Sequence, residues 1–490
     1  MSESNNSKNS NHHYESSLNK WIKEEKYANE FINVLTKLFY DKSIELIFFR
    51  TQLFDRSASI ILHRHSYSER LINKQLNIKT SLDLANVICS INIPPTKIDI
   101  GKLNMEFADA DNKIKDPKEF INLKLGELIG KSPNYDKPVD VVLYGFGRIG
   151  RLLARELIIQ GNGSQLRVRA IVARKNSGED LKKRASLFRH DSIHGPFRGV
   201  AVEDVDKKTI FVNGHYIKML EANNPEDIDY ESEGIFNALL IDNTGILRTR
   251  NELERHLKAK GITRVLLTAP AKGDVPNIVY GVNQLEFDVD KNNIYSAASC
   301  TTNAAVPVIS VIEKELGIEK GHLETIHSYT NDQNLLDNFH KKHRRGRSAP
   351  VNMVITETGA ASATVKVIPS LKGKLTGNAV RVPTPNVSLV ILTLTIKKEA
   401  TVESLNNLIK KAAFEGNLVE QIRYSNAYDA VSSDFIGDSA ACIFDSPATK
   451  VSEDKKNIVV YLWYDNEFGY SIQVIRVAKY ISKVLRYKYY

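Results

Sequence analysis

"PVDVVLYGFGRIGRLLARELI", residues 138–158, decides the fold. Val139 to Tyr144 is a short apolar strand, and an amphipathic helix opens at Ile149. Between them Gly145, Gly147 and Gly150 form GxGxxG in the strand–turn–helix setting that gives the pattern its meaning. The first glycine permits the tight turn, the second lets backbone approach a pyrophosphate, and the third lets helix and strand pack closely. The anion then rests at the positive helix N-terminus. The stretch predicts a dinucleotide-binding βαβ unit.

Working outward, "LRVRAIVARK" (166–175), "ALLIDNTG" (238–245) and "RVLLTAP" (264–270) read as further buried strands, with the helix-like "ELERHLKAKG" (252–261) between the last two. Strands alternating with helices argue for an α/β fold with a parallel, doubly wound sheet. Farther on, "VSLVILTLTIKK" (387–398) is longer and alternates, which predicts a mainly antiparallel sheet in a second, α+β domain. Upstream, Leu18, Trp21, Ile22, Phe31, Val34, Leu35 and Leu38 recur at helical spacing, and two more apolar runs follow. They predict a mainly helical extension over residues 1–137, broken by "INIPPTKIDIG" (91–101) and joined on through "LIGKSPNYDKP" (128–138). Residues 1–14 are rich in Asn, Ser and His and read as a disordered tail. His12 and His13 fit that tail better than a metal site, having no further ligands at suitable spacing.

The chain has 490 residues, enough for roughly three domains at about 150 residues each. Its net charge of +9 favours anionic partners, a statement about association and not about fold. The 3 cysteines, Cys89, Cys300 and Cys442, are too scattered for a disulfide framework or a CxxC metal site, and suit a reducing, cytoplasmic compartment. No signal peptide and no run of the ~18 apolar residues a membrane helix needs is present, so no membrane partner is expected. "HKKHRRGRS" (340–348) is basic, but without an aromatic-rich basic surface nucleic acid is a poor candidate partner.

Two features bear on chemistry. An NAD-selective site carries an acid near the end of its second strand, about 20 residues past the glycines, to bind the ribose hydroxyls. Here Arg174 and Lys175 stand there, and two cations would suit a 2′-phosphate. NAD and NADP are both open. The second feature is Cys300 in "SAASCTTN" (296–303), just before the helical run "NAAVPVISVIEKEL", whose first turn can accommodate Pro307. A helix N-terminus favours the thiolate. "TIHSYTNDQ" places His327 on a returning segment, and a Cys/His pair is the minimal activated nucleophile. From spacing alone, a small core cysteine and a satisfied histidine remain an equal alternative; Cys89 and Cys442 read as core residues.

Taken together, "GFGRIGR", "DSIHGPF", "SAASCTTN", "HSYTNDQ", "TGAASATVKVIPSLKGKLTGNAVRVPTPNVS" and "WYDNEFGYS" resemble the phosphorylating glyceraldehyde-3-phosphate dehydrogenases, over about Val139 to Lys483. The resemblance implies a Rossmann domain over residues 138–299, completed by 466–490, and a catalytic domain over 300–465. It implies oxidation of glyceraldehyde 3-phosphate with inorganic phosphate in a homotetramer. Cys300 would be the nucleophile and His327 its base. Ser299, Thr301, Thr330, Arg345, Thr358, Gly359 and Arg381 match positions that bind the two phosphates. Arg148 and Ile149 match backbone contacts to the pyrophosphate, Thr268 another cofactor contact, and Asn466 the residue that orients the nicotinamide. The sequence departs from the family in its missing second-strand acid, in Ala304 for a common second cysteine, in Phe468 for a common tryptophan, and in the N-terminal extension. The nearest alternative is erythrose-4-phosphate dehydrogenase, which usually lacks the "TGAA" motif and the threonine matching Thr330. A non-catalytic relative is a further alternative, though it should have lost Cys300, His327 or Arg381.

Overall fold

The computed structural model describes the backbone of residues 3–490 except positions 110, 112, 162 and 176, and side chains from Tyr14 onward. The chain forms two compact units, Met1–Asp136 with Leu485–Tyr490, and Lys137–Val484.

In the first unit, helices Glu3–Lys42, Ala58–Ile72, Ile78–Ser90, Ile100–Phe107 and Pro117–Leu125 supply most of the core. Phe31, Leu38, Ile61, Leu84 and Ile88 are fully buried there, as the helical spacing of Phe31 and Leu38 requires. Helix Glu3–Lys42 runs through residues 3–14, which read as a disordered tail from the sequence; the side chains of His12 and His13 lie outside the described ones. The unit is not only helical. Glu45–Phe48, Thr51–Gln52, Thr96–Asp99 and Tyr487–Tyr489 build a four-stranded sheet. Its four-residue strand Glu45–Phe48, three apolar residues after one acid, is buried along its whole length, and a run so short has no period to betray it. Its last strand comes from the far end of the chain, pairing parallel to Thr96–Asp99. Residues 485–490 therefore belong to this unit and do not complete the dinucleotide domain.

The second unit contains two eight-stranded sheets. In the first, Val139–Tyr144, Leu166–Ala173, Ala238–Asp242, Ile262–Leu267, Ile294–Ser296 and His215–Glu221 run parallel. Two short antiparallel strands, Thr209–Val212 and Ala201–Asp204, finish one edge. This is the predicted doubly wound sheet, with helix Arg148–Gly161 following the central strand. The second sheet is mainly antiparallel: Ser388–Ile396 lies antiparallel to both Ile318–Ser328 and Asn457–Tyr464. Its buried face, with Leu323, Val390, Leu392, Val460 and Leu462, packs on helix Cys300–Glu315 through Val308, Ile309 and Ile312. That packing fixes the N-terminus of the helix and so the position of its first residue, Cys300.

Candidate active site

Gly145 has φ 98°, a left-handed backbone that only glycine adopts without strain. A Cβ on Gly150 would lie 2.4 Å from the Gly145 carbonyl oxygen, so helix and strand could not approach as they do. A Cβ on Gly147 would meet nothing within 4 Å, so open space lies over the helix N-terminus where a pyrophosphate would enter. Residues and cradle fit a dinucleotide. Beside it, Tyr144, Val172, Pro225, Ile246 and Leu247 line a largely apolar cavity at the C-terminal ends of the strands. Arg174 and Arg255 reach this cavity and no carboxylate lines it; Arg255 is bound to Glu226 at 3.0 Å. Lys175 does not line it, and its carbonyl instead accepts from Arg184. Thr268 Oγ1 donates to the Asp242 carbonyl at 3.1 Å, which pins the loop after the fourth parallel strand.

Cys300 is the first residue of its helix, with Ser299 as the cap whose hydroxyl accepts from Thr302 N at 3.1 Å. The helix begins seven residues before Pro307. The proline thus sits in the helix interior and not in the first turn, and removes one ladder hydrogen bond there. The Cys300 Sγ lies 3.6 Å from His327 Nε2. His327 ends the strand Ile318–Ser328, and its parallel partner puts Arg381 directly beside it in register. His327 Nδ1 lies 2.7 Å from the Ser328 carbonyl, while Nε2 is the ring nitrogen that faces the thiol. Arg381 Nη1 stands 2.8 Å from the same Nδ1 and donates to the same carbonyl at 2.9 Å.

Burial pushes the Cys300 thiol up, opposed by the Arg381 charge. Burial, with the Arg381 charge behind it, depresses His327 to about 3. Burial thus pushes this pair towards a thiol facing a neutral imidazole, against the helix N-terminus and the Arg381 charge, which favour the thiolate.

Arg345 donates to Thr356 Oγ1 at 3.1 Å and pairs with Asp332. Burial and the Arg381 charge both lower its pKa, so the two guanidinium groups share one electropositive region. Thr358 and Gly359 stand just before helix Ala360–Val367, where Thr358 Oγ1 accepts from Ala360 N at 3.2 Å. Thr330 is partly exposed beside Asp332. Ser299 and Thr301 are less free than the resemblance implies. The Ser299 hydroxyl is held by the helix cap, and Thr301 is buried with its hydroxyl 3.0 Å from the Tyr464 hydroxyl. Asn466 is buried, its Oδ1 accepting from Ser388 Oγ at 2.8 Å. The basic run 340–348 is partly neutralised within its own loop, by Asp332 on Arg345 and Asp337 on Arg347. Sequence reasoning missed Asp332, Tyr464 and Glu467. The first lies two residues past Thr330 in the quoted "HSYTNDQ", and the others lie within two residues of Asn466 in the quoted "WYDNEFGYS", so all three could have been found there.

Two family models match this unit: "Glyceraldehyde 3-phosphate dehydrogenase, NAD binding domain" over residues 139–250 and "Glyceraldehyde 3-phosphate dehydrogenase, C-terminal domain" over residues 299–466. The chain belongs to the glyceraldehyde-3-phosphate dehydrogenase family. It is an enzyme, a dehydrogenase that uses a nicotinamide dinucleotide. A glyceraldehyde-3-phosphate dehydrogenase of Streptomyces coelicolor is 41% identical over 348 residues, 71% of this chain and 99% of its own length. One from Bacillus subtilis is 39% identical over 345 residues, 70% of this chain and 98% of its own. A "glyceraldehyde-3-phosphate dehydrogenase-like protein" of Pseudomonas aeruginosa is 48% identical over 432 residues, 87% of this chain and 93% of its own. That longer match reaches into the N-terminal unit. Among the described residues no helix is long and apolar enough to cross a membrane, and no cluster of three His, Cys, Asp or Glu side chains could hold a metal ion.

Proposed function

We propose that the enzyme oxidises glyceraldehyde 3-phosphate to 1,3-bisphosphoglycerate with inorganic phosphate and NAD or NADP, through a thioester on Cys300. The observation that carries this reading is the Cys300–His327 contact at a helix N-terminus, with Arg381 in register beside the imidazole. Cys300 Sγ passes its proton to His327 and bonds the aldehyde carbon. The helix-start N–H groups face the oxyanion that develops on the former carbonyl oxygen. His327 returns its proton to that oxyanion, giving the hemithioacetal hydroxyl and a neutral imidazole, whose Nε2 then takes the hydroxyl proton back as the carbon is oxidised to a thioester. When bound, the nicotinamide ring accepts the two electrons and the hydrogen leaving that carbon. A phosphate oxygen next attacks the thioester, the C–S bond breaks, and the acyl phosphate departs. Two anionic groups must sit near one carbon, which is work for Arg345, Arg381 and the Thr330 and Thr358 hydroxyls.

Arg174 on the nucleotide cavity, with no acid lining it, supports NADP acceptance. Leu335, Leu336, Phe339, Val351 and Met353 are all more than two-thirds exposed, and an apolar loop of this kind supports a homotetramer. We place the enzyme in the cytoplasm, where reduced cysteines persist. The test is steady-state rates with both cofactors, with and without phosphate, on the wild type and Cys300→Ser. Phosphate-dependent turnover that vanishes in the variant is expected. Near-normal rates in Cys300→Ser would overturn the reading, and phosphate-independent oxidation of erythrose 4-phosphate would favour the hydrolytic alternative.

A further inference from the structure

Arg148 opens the helix that follows the glycine turn, yet its side chain does not reach towards that turn's open space. Its guanidinium is filled on two edges by carboxylates. Nε and Nη2 donate to the two Glu467 oxygens at 2.5 Å each, and Nη1 and Nη2 donate to the two Asp191 oxygens at 3.1 Å each. Asp191 is fixed in turn by the backbone N–H groups of Ile193 and His194; burial pushes its carboxyl up, but these bonds and Arg148 outweigh that and lower it to about 2. His194 Nε2 meets Glu467 at 3.0 Å, while its Nδ1 is buried with no partner, so Glu467 alone ties that imidazole into the cluster. Glu467 is buried apart from 13% of its side chain.

What gives this cluster a consequence is the neighbour of Glu467. Asn466 precedes it, and Asp465, buried at 1% exposure, accepts from the backbone N–H of Glu467, Phe468 and Gly437. The three-residue segment is thus clamped to the start of helix Phe468–Ile481 by Asp465 and to the start of helix Arg148–Gly161 by Glu467. One clamp is backbone; the other is a paired charge spanning the two ends of the dinucleotide site.

We propose that Glu467 is a positioning residue for the cofactor: its bidentate pair with Arg148 fixes the spacing between the pyrophosphate-binding turn and the Asn466 carboxamide. This rests on the cofactor roles proposed for Arg148 and Asn466. A dinucleotide held at both ends binds tightly only if the protein presents those ends at one separation. Charge-assisted, two-point Arg–carboxylate contacts hold geometry in a way a single hydrogen bond does not. Glu467→Gln keeps the shape and removes the charge.

The test is dinucleotide binding to the full-length protein, followed by intrinsic fluorescence, for the wild type, Glu467→Gln, Arg148→Met and the double variant. Each single change is expected to weaken binding about tenfold. The double is expected to be no more than about twofold weaker than the worse single, because both remove one contact. Glu467→Asp should recover part of the loss. The KM for glyceraldehyde 3-phosphate at saturating cofactor should stay within about twofold, which a loss of general order would not allow. Arg148→Lys, which keeps the charge and loses the fork, carries the same tenfold expectation should Glu467→Gln not yield folded protein. Wild-type-like binding in the single variants, multiplying effects in the double, or a parallel rise in the aldehyde KM would overturn the proposal. Binding is read without turnover, so a wild type that binds dinucleotide but fails to oxidise the aldehyde would refute the proposed reaction and leave this test standing.

Discussion

Gly147→Ala and Gly150→Ala add the same methyl group three residues apart and should fail in different ways. At Gly150 the new Cβ would sit 2.4 Å from the Gly145 carbonyl oxygen and 3.3 Å from its carbon. Side-chain Cβ atoms essentially never come within 3.0 Å of a neighbour, so the helix must move off the strand or the turn must open. Overpacking of this kind costs about 1–3 kcal/mol. Both stability and cofactor affinity should fall. At Gly147 the added Cβ meets no protein atom within 4 Å, and its φ is not left-handed. The unfolded chain loses freedom instead, a gain of about 0.4–1 kcal/mol for the folded state. The methyl group nevertheless occupies the surface that the pyrophosphate approaches. A tenfold loss of affinity there is about 1.4 kcal/mol. At a dinucleotide concentration 100 times the wild-type Kd, ligand stabilisation should drop from about 2.7 to about 1.4 kcal/mol. Thermal melts with and without dinucleotide separate the cases. Gly147→Ala should melt at or above the wild type alone and gain less on adding ligand, while Gly150→Ala should melt lower in both. Full ligand stabilisation of Gly147→Ala, or a wild-type melt for Gly150→Ala, would refute the reasoning.

His327→Asn removes the base that accepts the Cys300 proton, and kcat should fall about 10²–10⁴-fold with dinucleotide binding unchanged by fluorescence titration. Arg174→Asp restores an acid to the nucleotide cavity and should move the NADP/NAD ratio of kcat/KM towards NAD by tenfold or more; an unchanged ratio would place selectivity elsewhere. Acid should destabilise the first unit through His65, which burial lowers to about 4. Between pH 6.5 and that value the unfolded chain binds a proton the folded one refuses, so stability falls with falling pH and is flat for this group above 6.5. Urea unfolding should show the wild type losing about 1.6 kcal/mol more than His65→Gln between pH 6.5 and 5, since the unfolded imidazole is already half protonated at 6.5 and each further pH unit at full slope is worth ~1.36 kcal/mol. Equal losses would count against it.

Local chemistry was legible and long-range register was not. The glycine turn is read from residues that touch one another along the chain, and its strand and helix fall where the pattern puts them. Cys300 and His327 could be suspected as partners because one helix and one strand separate them. The placement of Arg381 beside His327 depends on parallel pairing between strands 54 positions apart, which no periodicity encodes. The opposing push of burial on the Cys300 thiol was not legible for a related reason: burial belongs to the packed molecule. Glu467 looked like one charge in a recognisable motif until Arg148 and Asp191 were found around it.

The strand Tyr487–Tyr489 has a temporal meaning. During synthesis Thr96–Asp99 emerges early and its outer hydrogen-bonding edge waits for a partner still roughly 390 residues away, some 20–80 s at 5–20 residues per second. The first-made part of this polypeptide can close its sheet only after Tyr487–Tyr489 has been made, so its amino-terminal unit is completed after Lys137–Val484 has been synthesised. An open edge for that interval is a template for the wrong strand.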